Sequence, residues 1–168
     1  ALDSSADSIF IIDREQMCFV DMNLMACEAL GYTRQDLLTM GPQDISPQFS
    51  KEELERICDS VIEDTSQAGI LKTLHKARDG STFPVEVRLR AFVQEGRALI
   101  ISVARDITSY KKADDALKYR LSLQRLLMDI SMVFLTAPVD YLEQAMEEAL
   151  MRVGKFTQSD RVFIRRYD

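Results

Sequence analysis

Alternation of apolar and polar positions is densest between Arg78 and Thr108. Phe83, Val85, Val87 and Leu89 alternate with Glu86, Arg88 and Arg90, the period-two pattern of a strand with one buried face. Leu99–Val103 is apolar on both faces, as in a covered central strand. Turns are predicted at Arg78-Asp79-Gly80-Ser81 and at Glu95-Gly96, where Gly tolerates positive φ. Pro84 lacks an amide hydrogen, which places it at a strand start or an irregularity. Upstream, Ser8–Asp13 and Met17–Met22 read as two strands around the polar turn Asp13-Arg14-Glu15-Gln16, and Ile70–Ala77 as a third.

The helical signals are equally local. Asn23 is a good N-cap for a short helix from Leu24 to Leu30, with Gly31 at its C-terminal cap. Thr33 with Asp36 resembles a capping box, and Ser50 with Glu53 is one. Leu54, Ile57, Cys58, Val61 and Ile62 then form an apolar stripe at helical spacing, with Gly69 placed to end that helix. Gly41–Phe49, interrupted by Pro42 and Pro47, reads as a loop.

From Tyr110 the pattern changes. Ala116, Tyr119, Leu123, Leu126, Ile130 and Val133 are spaced alternately by three and four, a coiled-coil seam and hence a dimer seam. A helix over 110–136 would be roughly 40 Å long at 1.5 Å per residue. Pro138 breaks it, Val139–Lys155 reads as a second amphipathic helix, and Arg161–Tyr167 as a strand.

Three motifs in order carry a family resemblance: the run Asn23 to Tyr32 (N-x-x-A-C-E-A-L-G-Y), the Arg78-Asp79-Gly80 turn and the Asp106-Ile107-Thr108 exit. Together they resemble a PAS sensor domain over about the first two thirds of the chain. Gln16 stands where that family usually has Gly or Asn. The resemblance implies an α+β fold: a five-stranded antiparallel sheet in the order second, first, fifth, fourth, third, with helices on one face, followed by a long C-terminal helix. It also implies a cavity between the sheet and the long helix, with Ile57, Val61, Val85, Val87, Leu89, Ile101 and Val103 as candidate lining. Arg78, Asp106 and Thr108 form the candidate signal exit, with Arg78 as the expected partner of Asp106; Thr108 or Ser109 would cap the next helix. Residues after Pro138 resemble the opening helix and strand of a GAF domain. The implied organisation is a PAS domain at 1–109, a signalling helix at 110–136 and the start of a GAF domain at 137–168.

Composition narrows the functional classes. Net charge is −6, against a nucleic-acid footprint or direct contact with an anionic membrane. No apolar run approaches the ~20 residues needed to span a bilayer. Cys18, Cys27 and Cys58 form an odd set without metal-ligand spacing, which favours a reducing, cytoplasmic setting. His75, the single histidine, falls on a strand without a second ligand nearby in sequence and reads as a polar residue on a sheet face. Cys58 reads as core, and the stretch Gly41–Ser46 holds no cysteine for a flavin adduct. No catalytic motif appears, so no enzyme activity is expected in these residues. No cofactor is expected: haem and flavin are disfavoured, while an apolar lining admits a small apolar or aromatic ligand. The reading is a regulatory sensory or relay module of a bacterial signalling protein, of histidine kinase or diguanylate cyclase type. It would act as a homodimer through the C-terminal helix, with the PAS domain as a further candidate dimer contact and GAF and output domains downstream. The competing reading is a ligand-free homodimerisation scaffold.

Overall fold

In the computed structural model, residues 5–64, 69–159 and 163 are described. The chain divides after Tyr110 into two units. The first is built on strands β1 (Ser8–Asp13), β2 (Cys18–Met22), β3 (Gly69–Lys76), β4 (Thr82–Gln94) and β5 (Arg97–Asp106). They form one antiparallel sheet in the order β2-β1-β5-β4-β3. Between β2 and β3 come α1 (Leu24–Leu30), α2 (Arg34–Leu37), α3 (Pro42–Ile45) and α4 (Lys51–Glu63). This is the PAS fold.

Local chemistry explains the starts of these helices. The Asn23 side chain accepts from the amides of Ala26, at 3.0 Å, and of Ile9, at 2.9 Å, so it caps α1 while pinning β1. Thr33 with Asp36 and Ser50 with Glu53 both close reciprocal capping boxes. The segment read as a loop contains α3, because Pro42 occupies its first turn and the Asp44 carboxylate accepts from the Gly41 amide at 2.7 Å.

Turn geometry corrects two expectations. In the β1–β2 turn the left-handed residue is Met17, with φ of 50° and a buried side chain, so β2 begins one residue later, at Cys18. Gly69 does not end α4; it opens β3. A Cβ there would lie 2.8 Å from Cγ2 of Val61, so the glycine permits close approach of strand to helix. Glu95 and Gly96, at φ of 52° and 77°, make the tight β4–β5 hairpin.

The core lies between one sheet face and α1–α4. Phe10 and Phe19 meet at 4.9 Å between ring centroids, and Leu30, Leu37, Leu54 and Val61 close over them. In the second unit α5 (Thr108–Thr136) is followed by a 3-10 turn at Val139–Tyr141 and by α6 (Leu142–Thr157). The strand expected over 161–167 falls outside the described residues except for Phe163. Among the described residues no helix is long and apolar enough to cross a membrane.

Candidate functional site

The apolar stripe of α4 and the inner sheet face do not meet completely. Between them lies a cavity of about 40 Å³. From the predicted lining, Ile57, Val87 and Leu89 face it. Val61 and Val85 are buried in the adjoining core without lining the cavity. Ile101 and Val103 are a correction: they lie on the opposite sheet face, in a groove with Arg88, Arg90 and Arg105. The inward residues of β5 are Ile100, Ser102 and Ala104, paired one position out of phase with the expectation.

The cavity also carries side chains that pattern reading did not single out. Phe10, Ile12 and Phe19 form its floor, while Ile45 and Phe49 approach from the segment around α3. Four buried polar residues line it as well: Ser46, Thr73, His75 and Ser102. Strand parity on β3 puts Leu71, Thr73 and His75 on one face, so the polar pair is aimed inward rather than left on an outer surface.

His75 is 5% exposed, and its ring stands nearly perpendicular to those of Phe10, at 6.2 Å, and Phe83, at 6.1 Å. Burial without a compensating charge pushes its pKa down to about 4, so the imidazole is neutral at physiological pH. The Thr73 hydroxyl donates to Oε1 of Gln48 at 3.0 Å, and the Leu74 amide donates to the same atom at 3.1 Å. These bonds fasten the edge strand to the segment between α3 and α4. Cys58 lies on the α4 side, and burial raises its pKa to about 11, which keeps it a protonated thiol. Arg14 donates to both carboxylate oxygens of Asp59 at 2.7 Å, tying the β1–β2 turn to α4.

The signal exit is arranged differently from expectation. Asp106 does not pair with Arg78. Its Oδ1 accepts from the Thr108 amide at 2.7 Å, directly at the start of α5. Arg78 instead approaches Asp36 at 3.4 Å and lies 5.8 Å from the Tyr32 ring centroid, because the β3–β4 turn folds toward α1 and α2. The Arg78 amide confirms that placement by donating to the Leu30 carbonyl at 2.9 Å. Thr108 is the first residue of α5, and its hydroxyl is buried without a partner among the described residues rather than capping the helix.

On α5, the predicted seam faces α6 of the same chain. The Tyr119 and Phe156 rings lie 5.6 Å apart, and Arg152 reaches Asp129 at 3.7 Å. Leu123, Leu126, Ile130 and Val133 are half-buried and Ala116 is exposed. On α6 the buried residues are Ala145 and Ala149. A second stripe on the far side of α5, comprising Leu117, Leu121, Met128 and Leu135, remains exposed. Among the described residues no group of three or more His, Cys, Asp or Glu side chains could hold a metal ion.

Comparison with known proteins agrees with this geometry. A methyl sulfide methyltransferase-associated sensor of Methanosarcina acetivorans is 25% identical over 152 residues, which are 90% of this chain and 15% of that protein. The chain therefore spans only a small part of that curated relative's length. The crystal structure of the PAS domain of an HTR-like protein from Haloarcula marismortui is 26% identical with a TM-score of 0.58, covering 63% of this chain and 85% of that one. A domain of a sensory box sensor histidine kinase/response regulator from Geobacter sulfurreducens is also 26% identical, with a TM-score of 0.50, covering 62% and 87% of the two chains. The PAS domain family model matches residues 6–109, which run from just before β1 to the first turn of α5; the chain belongs to the PAS domain family.

Proposed function

We propose that this chain is a regulatory module of a longer signalling protein, in which the cavity receives a small ligand and α5 passes the response onward. One observation carries the reading: β5 contributes Ser102 to the cavity wall and, four residues later, delivers Asp106 to the start of α5. Any shift of the inner sheet face is thereby connected through one strand to the helix. The mechanism is a population shift between two settings of α5, biased by differential affinity for ligand. The output is a histidine kinase or a diguanylate cyclase, in keeping with the histidine kinase named in one structural relative. Residues 137–168 begin a GAF domain in this reading, and the setting is cytoplasmic. The active species is a homodimer formed through α5, on the stripe that α6 leaves open.

Disulfide crosslinking tests this. Single cysteines at Leu117, Leu121, Met128 and Leu135 are expected to crosslink two copies more strongly than cysteines on the α6-facing side. Ser102→Val, which adds bulk at the cavity wall, is expected to change the pattern. A pattern indifferent to Ser102→Val would remove the sensing step. A second reading then stands, a dimerisation scaffold without ligand, and the small size of the cavity favours it. Absence of any crosslinking preference would remove both readings.

A further inference from the structure

The four polar side chains on the cavity wall are unusual for a space otherwise bounded by apolar side chains and the Cys58 thiol. A core that only needed filling would exclude them, because burying a polar group without a hydrogen bond costs about 1–3 kcal/mol. Thr73 has a partner in Gln48. Among the described residues, no hydrogen bond joins the His75 ring or the hydroxyls of Ser46 and Ser102 to another group; all three residues are buried and line the cavity, while their polar atoms are not among those fully sealed without a partner. They come from separate places: Ser46 follows α3, His75 lies on β3 and Ser102 on β5. Their convergence gives an apolar pocket with a few oriented polar groups, the usual composition of a small-molecule site.

We propose that the cavity binds a small uncharged molecule that exchanges a hydrogen bond with His75, with Ser102 as a supporting contact. The inference rests on the sensor reading above and names its ligand class. No Asp, Glu, Lys or Arg lines the cavity, so a charged ligand would enter without a counter-charge, at high cost. Size sets the second limit. A water needs on the order of 10–15 Å³ by this kind of measure, so about 40 Å³ holds roughly three water-sized groups. That suits a molecule of a few non-hydrogen atoms, or a small five-membered ring after slight side-chain movement. The third limit is chemical: the rings of Phe10 and Phe83 stand nearly perpendicular to that of His75 and offer its nitrogens no strong acceptor or donor. A neutral imidazole offers one donor and one acceptor, which suits a ligand with either group.

The chain has a single histidine, so protein labelled with ¹⁵N-histidine reports on His75 alone. Pyrazole is the polar probe and thiophene its apolar counterpart of similar size. Saturable shifts of the His75 ring nitrogens by pyrazole are expected, with binding about tenfold tighter than for thiophene, the worth of roughly one hydrogen bond. Binding to variants is followed by amide spectra, which also show whether each is folded. In His75→Phe the preference for pyrazole is expected to disappear while thiophene still binds. Ser102→Ala, a milder change, is expected to reduce the preference several-fold and keeps the test open should His75→Phe fail to fold. Equal binding of both probes to the native protein, or a preference that survives both substitutions, would overturn the polar-ligand inference and leave the sensor reading standing. Binding of neither probe would overturn both.

Discussion

The two units bury their apolar side chains in opposite ways. In the first, Phe10, Phe19, Leu30, Leu37 and Ile100 are almost completely enclosed by a sheet and four helices of the same unit. In the second, α5 has no buried residue, and α6 buries only Ala145 and Ala149. Leu117, Leu121, Met128 and Leu135 are all more than half exposed. The first unit carries its own core; the second leaves an apolar stripe of α5 in solvent, the kind of surface that marks an interaction site.

Removing a core ring should separate the units most sharply. Phe10→Ala is expected to destabilise the first unit by about 3–5 kcal/mol in urea unfolding, through lost burial and the cavity left behind. Leu121→Ala should change monomer stability by no more than about 0.5 kcal/mol, since its side chain is already in solvent. A large cost at Leu121 under dilute, monomeric conditions would mean that the second unit has a core of its own.

A second difference appears with acid. His75 titrates at about 4 when folded and near 6.5 when unfolded. Between these values the unfolded chain binds a proton that the folded chain refuses. Stability is therefore full above about pH 6.5 and falls as pH drops toward about 4, by roughly 3 kcal/mol at about 1.4 kcal/mol per pKa unit. His75→Phe should flatten that arm of the stability curve. Unfolding midpoints between pH 7 and pH 4 check this, and an unchanged slope in the variant would place the acid sensitivity elsewhere.

The same contrast governed what could be read in advance. Capping at Asn23, Thr33 and Ser50 depends on residues three apart, and strand β4 marks its buried face by placing Glu86, Arg88 and Arg90 on the other. These features were legible. The phase of β5 was not, because Leu99–Val103 is apolar at every position except Ser102, and the polar residue is the one that faces inward. His75 was hidden for a related reason: its burial follows from Phe10 and Phe83, which only the folded sheet brings beside it. The α5 seam had the expected spacing, but spacing alone does not distinguish a second copy from α6. Arg78 was assigned to Asp106 through the family resemblance, whereas the β3–β4 turn brings it to Tyr32 and Asp36.

Asn23 should show an effect of intermediate size. Its side chain serves two backbone amides, one on β1 and one on α1, within a fully buried setting. Asn23→Ala leaves both donors without that acceptor, so a loss of about 2 kcal/mol is expected, at the upper end for an N-cap. Asn23→Asp keeps the acceptor and should retain part of the stability. A loss under about 0.5 kcal/mol for the alanine variant would show that water or a backbone carbonyl rearrangement restores the bonds.

A smaller effect than that at Asn23 is the most informative about signal exit. Asp106 holds the Thr108 amide at the first turn of α5, so Asp106→Ala should cost roughly 1 kcal/mol, as for a lost helix cap. Arg78 touches neither residue. A double-mutant cycle of Arg78→Ala with Asp106→Ala should therefore give a coupling indistinguishable from zero. Asp106→Asn provides the control, since its amide oxygen can still accept from Thr108 while the charge is gone. If stability in Asp106→Asn stays near the native value, the hydrogen bond sets the start of α5. If it falls as far as in the alanine variant, the carboxylate charge acting on the helix N-terminus is the larger contribution. A clear coupling to Arg78 would require a second arrangement of the β3–β4 turn in which the arginine leaves Tyr32 for Asp106. That arrangement would link the turn to the helix directly, instead of through β5 alone.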